Sequence, residues 1–345
     1  NIKKMCGIYI TNIPFSEEEV KQKLELIKYR GPDHTGIDKI DNLTFGHLRL
    51  SILDIDVRSH QPMQFEGFTI VFNGEIYNFQ EIKKELSDLG YIFNTTGDTE
   101  VLLKGYIEWG ESIVPKLNGM FAFAIYNAST RKIFCSRDRL GVKPFYYSWK
   151  EGKFEICSQL RPISQNKVID EDAISMYLDC TYIPSPYTVY KDVYKLPPGN
   201  NIEIDLNTQK ITIKEYWNLK EVTDEGLSYE DAKDQLHKLL KDAVKIRLQA
   251  DVPFGSFLSG GIDSALISSI AAKIYKEPIK TFSIGFEDPK YDESKIAAQY
   301  AKIMGSVHTE TICKPEDILQ MLPKLIEVYD EPFGDSSALP SLLLN

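Results

Sequence analysis

Met5-Cys6-Gly7-Ile8 sets a thiol directly behind a methionine. Removal of that methionine leaves Cys6 as the first residue, carrying a thiol and a free α-amine. An amine with a pKa of about 8 is well matched to take the thiol proton near neutral pH, directly or through one water. The same four residues also read as an ordinary start followed by a small buried cysteine. The rest of the chain has to decide. Asn1-Ile2-Lys3-Lys4 stand in front of Met5 and are too short for a leader, so they read as a tag remnant or an upstream start. While they are attached, the amine that Cys6 needs is blocked.

Of the 345 residues, 43% are hydrophobic and 26% charged, which suits a globular chain long enough for two cores. The net charge of −10, with basic residues scattered, argues against a nucleic-acid surface. Cysteines at 6, 135, 157, 180 and 313 form no metal-type pair and no even disulfide framework, so a reducing, cytoplasmic setting is expected. No apolar run reaches membrane-span length.

Outward from Cys6, Ser16-Glu17-Glu18-Glu19 has the form of a capping box, and Val20, Leu24 and Ile27 follow at helical spacing up to Gly31-Pro32. The run 30–36, RGPDHTG, is a loop of turn formers. Residues 43–54, LTFGHLRLSILD, alternate as a strand would. Residues 68–78, FTIVFNGEIYN, predict a strand leading to a helix with Ile82, Leu86 and Leu89 on one face and Gly90 as its stop. TGDTEV, from Thr96, opens another helix. After Gly119 come short strands, MFAFAIY, KIFCSRD, KPFYYSW and KFEICS. Strands, helices and strands again predict sheets stacked between helices. The domain boundary is expected between about 205 and 228, giving domains over 5–210 and 211–345. Beyond it, a helix from Tyr229 to Gln249 carries Ala232, Leu236, Leu239, Leu240, Ala243 and Val244 on one stripe. Strand and helix then alternate, which predicts a parallel, doubly wound sheet.

That second domain opens with SGGIDS, Ser259 to Ser264, between an apolar strand and a helix. Backbone N–H groups at a helix N-terminus cradle anions, and Gly260 and Gly261 allow a phosphate to approach closely. The loop lacks the lysine of a Walker A motif. Asp263 inside a phosphate cradle would repel the anion unless a divalent ion lies between them, so Mg²⁺ is implied with Asp263 as its ligand. A tight turn capped by a serine is the alternative.

MCGI, KYRGPD, HLRLSILD, FNGEIYN, TGDTEV, NGMFAFAIY, SRDRLGVKPFYY, KLPPG, DVPFGSFLSGGIDS and FSIGF occur in the order found in glutamine-dependent asparagine synthetases, and the chain resembles that family from residue 5 to 345. The resemblance implies an N-terminal nucleophile hydrolase domain, an αββα sandwich of the class II glutamine amidotransferase kind. An ATP-pyrophosphatase-type synthetase domain follows, which adenylates a carboxylate. It assigns Cys6 as nucleophile, Asn73 and the Gly74 N–H as oxyanion donors, Arg49 as the clasp of the glutamine α-carboxylate, and Glu75 and Asp98 as holders of its α-ammonium. Leu258, Ser259, Gly260, Gly261, Asp263, Ser264 and Ile284 match the ATP site. Arg30 and Met120 resemble residues near the passage that carries ammonia, which the NGMFAFAIY strand is expected to face. Bland readings exist for each residue taken singly: Arg49 as a surface ion pair, Asn73-Gly74 as a hairpin turn, Asp98 as a helix cap.

The resemblance thus implies glutamine, aspartate and ATP as small-molecule partners, Mg²⁺ with the ATP, a candidate homodimer, and neither nucleic acid nor membrane. The amidation of another carboxylate such as a sugar acid, or a non-catalytic scaffold, are the rival readings. Two departures stand out. Where the family has Ser-Glu-x-Lys after the last strand of the first domain, this chain has Ser158-Gln159-Leu160-Arg161. The family also continues past the position of Asn345 with an acidic glycine loop, so the 345-residue chain is expected not to form the amide by itself.

Overall fold

Fifteen strands and ten α-helices account for most of residues 5–164, 167–221 and 226–344, the residues that the computed structural model describes. Asn1 to Lys4 and part of the expected boundary, 222–225, lie outside them. The chain forms two compact units: residues up to Leu219 together with Tyr329–Gly334, and Lys220–Val328 together with the residues from Asp335 onward.

The first unit contains β1 (Gly7–Thr11), α1 (Glu17–Glu25), β2 (His34–Ile40), β3 (Leu43–Arg49), β4 (Met63–Phe65), β5 (Phe68–Ile76), α2 (Phe79–Asp88), α3 (Asp98–Trp109) and α4 (Ile113–Lys116). It continues with β6 (Gly119–Asn127), β7 (Lys132–Arg137), β8 (Tyr146–Lys150), β9 (Lys153–Cys157), α5 (Glu171–Cys180), β10 (Val193–Lys195), β11 (Asn200–Asp205) and β12 (Lys210–Glu215). The strands form two six-stranded sheets, ordered β10-β8-β9-β1-β3-β2 and β12-β11-β7-β6-β5-β4, with every pair antiparallel. Ile8, Ile10, Leu43 and Phe45 from one sheet meet Val71, Ala122, Ala124 and Ile133 from the other in a core between them. Alternate residues face outward. Tyr9 and Leu48 pack with Val20 and Leu24 of α1, and Ile70, Phe72, Phe121 and Phe123 pack with Ile82, Leu86 and Leu102 of α2 and α3. Helix, sheet, sheet and helix therefore stack as four layers, because the central strands β1, β3, β5 and β6 are buried on both faces and the helices that cover them on one.

Local signals worked as expected at α1, where Ser16 and Glu19 form a reciprocal capping box. Gly90 adopts φ +99° just past α2. Three expectations are corrected. The strand expected over 43–54 stops at Arg49, where its pairing with β1 ends at Gly7–Leu48 and with β2 at His34–Arg49, and Asp54 beyond it takes φ +44°. Leu89 is exposed, lying past the end of α2, whose buried side chains are Phe79, Ile82 and Leu86. The predicted stripe of the helix at 229 is mostly uncovered, as described next.

The second unit runs α6 (Tyr229–Arg247), β13 (Gly255–Phe257), α7 (Ile262–Ile274), β14 (Lys280–Phe286), α8 (Ser294–Met304), β15 (Val307–Cys313), α9 (Pro315–Val328) and α10 (Ala338–Leu344). Strands β13, β14 and β15 pair in parallel in that order, joined by α7 and α8, so this unit is α/β. Along α6, Leu236 and Leu239 are exposed, and only its C-terminal half, through Leu240 and Val244, packs on Ile270, Ala271 and Ile279.

All three tryptophans, Trp109, Trp149 and Trp217, belong to the first unit, so their fluorescence follows that unit alone. Ile10→Ala empties part of the core between the sheets. It is expected to lower the urea midpoint of the tryptophan-detected transition, by an amount equivalent to about 2–4 kcal/mol. A far-ultraviolet signal confined to the second unit's transition should not move.

Candidate active site

Side-chain parity brings three polar groups to one end of the space between the sheets. Cys6 precedes β1 on the face of Ile8 and Ile10, Arg49 ends β3 on the face of Leu43 and Phe45, and Asn73 lies on β5 beside inward-facing Val71. The two strands β1 and β3 pair with Gly7 opposite Leu48, which sets Cys6 across from the end of β3. There its Sγ accepts from the Leu50 N–H at 3.4 Å and lies 3.6 Å from the Leu50 carbonyl. Cys6, Arg49, Asn73, Gly74, Glu75 and Asp98 line one small cavity of about 60 Å³, together with Met5, Gln61 and Lys143.

The Asn73 carboxamide is fully buried, and neither its nitrogen nor its oxygen has a hydrogen-bond partner. A buried amide with no partner costs roughly 1–3 kcal/mol per group, which a group facing a cavity recovers when a ligand arrives. The hairpin reading of Asn73-Gly74 is excluded, because both lie within β5 and pair with Ala122 and Phe121 of β6. At 74 only glycine fits: a Cβ there would stand 2.3 Å from the Met120 carbonyl oxygen and 2.6 Å from the Phe72 ring.

Arg49 is buried, and its guanidinium donates to the carbonyls of Asp56 at 2.8 Å, Leu53 at 3.5 Å and Asp54. The segment after β3 wraps around it, pinned by the Asp54 carboxylate, which accepts from the Thr96 N–H at 2.7 Å and from Arg58 at 3.0 Å. Three of the five guanidinium N–H groups are thereby used, and two remain for a ligand. Arg49 is therefore no surface ion pair.

Asp98 is the first residue of α3, with Gly97 as the cap, and its carboxylate accepts from the Ile76 N–H at 2.9 Å. Burial, reinforced by the nearby charge of Glu75, pushes its pKa up to about 7. Burial also raises the Cys6 thiol, against the opposing pull of the Leu50 hydrogen bond, Lys143 and Arg30. The thiol therefore stays protonated here unless a base takes its proton.

Several residues of the site were not singled out from the sequence. Lys143 is buried and places its Nζ 3.1 Å from the Met5 sulfur, near Cys6 and Glu75. It lay within the quoted SRDRLGVKPFYY run, where a lysine among core residues was the available signal. Gln61 accepts from the Phe72 N–H at 2.6 Å and so steadies the strand bearing Asn73. Arg30, expected near an ammonia passage, is buried and donates from Nε to the Cys6 carbonyl at 3.1 Å. Met120 pairs with Glu75 across the sheet. The rest of its strand is core on both faces: Phe121, Phe123 and Ile125 pack toward the helices, and Ala122, Ala124 and Tyr126 toward the partner sheet.

In the second unit, Leu258, Ser259, Ser264 and Ile284 line a cavity of about 420 Å³, with Phe282, Phe286 and Tyr291. Gly260, Gly261 and Asp263 are not among its lining residues. The loop is tied internally: Ser259 and Ser264 hydroxyls are 2.8 Å apart, and the Gly261 N–H donates to Ser259 Oγ at 3.1 Å. The Gly260 N–H donates at 3.0 Å to a carboxylate oxygen of Glu293, so an anionic oxygen already fits that donor. Asp263 is exposed on the first turn of α7, and no cluster of three acids, histidines or cysteines suited to a metal occurs among the described residues.

The first unit's four-layer stack, with a cysteine at the head of its central strand, defines an N-terminal nucleophile type of fold, and the second is an α/β unit with a parallel sheet. The glutamine amidotransferase domain family matches residues 5–217, and the asparagine synthase family matches residues 235–345. A putative glutamine-hydrolyzing asparagine synthetase 2 of Methanocaldococcus jannaschii is 39% identical over 98% of this chain and 70% of its own length. The glutamine-hydrolyzing asparagine synthetase 1 of Bacillus subtilis is 38% identical over 94% of this chain and 51% of its own. The amidase chyE of Penicillium rubens is 30% identical over 84% of this chain and 45% of its own. The chain belongs to the family of glutamine-hydrolysing asparagine synthetases, enzymes of the ligase class. It spans 70% of the archaeal relative and about half of the other two. No described helix is long and apolar enough to cross a membrane.

A carboxyl whose folded-state pKa stands above its unfolded value favours folding while it is protonated, and that contribution is lost as the pH rises through the folded value. For Asp98 the window runs from an unfolded value of about 3.9 to a folded one of about 7. The tryptophan-detected urea midpoint is therefore expected to fall between about pH 4 and about pH 7, and Asp98→Asn is expected to flatten that fall. An unchanged slope in the variant would show that Asp98 ionises as an ordinary surface acid does.

Proposed function

We propose that the first unit hydrolyses glutamine at Cys6, and that the protein passes the ammonia to an ATP-activated aspartate, giving asparagine, AMP and pyrophosphate. The observation that carries the glutaminase part is the unpartnered Asn73 carboxamide, buried beside the Cys6 sulfur. In this reading the Cys6 α-amine, freed by removal of the residues before it, takes the thiol proton. The thiolate attacks the glutamine side-chain amide, and the oxyanion that forms is stabilised by the Asn73 Nδ2–H and the Gly74 N–H. The amine returns its proton to the departing ammonia, and water then cleaves the thioester.

The ends of the substrate match what surrounds them. The two remaining donors of Arg49 suit a carboxylate, and Glu75 and Asp98 suit an α-ammonium. Bringing that ammonium to Asp98 restores an ionised carboxylate, so glutamine binding below pH 7 should release a proton. Met5 lines the same cavity, so its removal both frees the amine and enlarges the space for the substrate.

In the second unit, the Gly260 N–H and the Ser259 and Ser264 hydroxyls would hold ATP phosphate oxygens, with Leu258 and Ile284 beside the base and ribose. Asp263 would hold the Mg²⁺ that accompanies ATP, whose charge would offset that of the phosphates, since magnesium is commonly held by one or two carboxylates plus substrate phosphates. The acceptor is the least constrained part of the reading, and a relative named as an amidase shows that this family's names are not confined to asparagine synthetase. AMP formation with aspartate, set against other carboxylic acids, identifies it in the full-length protein.

Protein that begins at Cys6 should hydrolyse glutamine, and the form retaining Asn1 to Met5 should be nearly inactive. Asn73→Ala should lower kcat by about 10²–10³-fold, and Cys6→Ala should abolish hydrolysis. Equal rates for the Cys6-initiated protein and its Cys6→Ala variant would instead support a scaffold that performs no chemistry.

A further inference from the structure

The hexapeptide Tyr329–Gly334 belongs to the first unit although the chain on both sides of it belongs to the second. It is tied down at three points. Asp330 accepts from the Arg161 N–H at 3.0 Å and from Gln159 Nε2 at 3.3 Å, with Arg161 Nε 3.5 Å from its other oxygen. Glu331 pairs with Lys195, and the Gly334 N–H donates to the Thr181 carbonyl at 2.7 Å. Gln159 also faces the other way: its Oε1 accepts from the Tyr29 hydroxyl at 2.7 Å. Tyr29 is joined to Arg30 in the 3₁₀ turn Lys28–Arg30, and Arg30 holds the Cys6 carbonyl. Beside Gln159, Ser158 is tied to Ile8 through both main chain and side chain, at 3.1 and 3.0 Å.

We propose that Gln159 is a positioning residue for Cys6: its carboxamide locks the strap Tyr329–Gly334 to the Tyr29–Arg30 turn that fixes the main chain of the nucleophile. The proposal rests on the glutaminase reading of Cys6. The Asp330 oxygen that accepts from the Arg161 N–H also takes the Gln159 amide nitrogen, which leaves the amide oxygen for the tyrosine hydroxyl. A side chain that donates to one neighbour while accepting from the other is required, and glutamine supplies both. A glutamate in this place would set two buried carboxylates against each other. The substitution of amide for acid at 159 is thus matched to the acid at 330.

The groups facing this junction are Tyr29 and Arg30 from the 3₁₀ turn, Tyr146 from β8, Cys157 and Arg161 at the end of β9, and Glu331 with its Lys195 partner on the strap side. The cations among them are Arg30, Lys195 on Glu331, and Arg161, whose Nε stands 3.5 Å from Asp330. Burial already pushes the Asp330 carboxyl above its ordinary range.

The test uses the whole chain processed to Cys6, with Gln159→Glu, Asp330→Asn and the two combined. Each variant's glutaminase kcat/KM is divided by that of the unsubstituted protein at the same pH. At about pH 8 the Gln159→Glu ratio should fall about tenfold, and at about pH 5.5 it should return toward one, because two facing carboxylates can share a proton only when the pH is low. The double variant reverses donor and acceptor and should recover most of the loss at the higher pH. A pH-independent ratio for Gln159→Glu, or a double variant no better than the single, overturns the proposal. The rate of Cys6 alkylation by iodoacetamide, read on its own peptide by mass spectrometry, is measured across the same set and should follow the same pattern. If the unsubstituted protein fails to hydrolyse glutamine, the functional reading falls, and the alkylation series alone decides whether Gln159 positions Cys6. Tryptophan fluorescence confirms that each variant is folded.

Discussion

Two stacked sheets must present apolar inner faces to each other, and at one end of this stack that rule is broken by Cys6, Arg49 and Asn73 together. The rest of the site follows from that breach. Arg49 tolerates its burial because the chain after β3 curls around it and offers three carbonyls. Asn73 has no such compensation, and a fully buried amide without partners is a local cost that the surrounding core must carry. Costs of this kind persist where a ligand later removes them, and the neighbouring sulfur indicates what chemistry that ligand meets.

Electrostatics point the same way. The thiol and the Asp98 carboxyl are both shifted toward their neutral forms by burial, so neither adds a fixed negative charge to the site below about pH 7. A free amino acid brings one positive and one negative end, each of which finds its complement. A peptide-bound glutamine lacks both ends, which gives a physical basis for selecting the free form.

Much of this was legible in the sequence where local signals decide. The capping box at Ser16, the stop at Gly90 and the strands after Gly119 follow from side-chain periodicity and backbone preference, which do not need tertiary context. The strand expected over 43–54 was too long because the alternation of its letters continues through Leu50 to Asp54, while the chain turns to serve the guanidinium of Arg49. The apolar stripe of α6 is plain in the letters, yet only its C-terminal half finds a surface within the described second unit. The roles of Lys143 and Gln61 arise from contacts between segments distant in sequence, which no local pattern encodes. The Gln159–Asp330 pair spans 171 positions, so nothing near either residue announces it. The amide at 159 was visible only as a departure, and its reason appears once Tyr29 and Asp330 are seen on either side.

The central claim is that Cys6, once at the chain terminus, is a nucleophile that carries the glutamyl group. The most direct measurement is the intact mass of Cys6-initiated protein mixed with glutamine and quenched in acid within the first turnover. The account expects one glutamyl adduct per chain, mapped to Cys6 and lost on treatment with hydroxylamine. Ammonia released at full rate with no adduct at that sulfur, or an adduct on another residue, would contradict it.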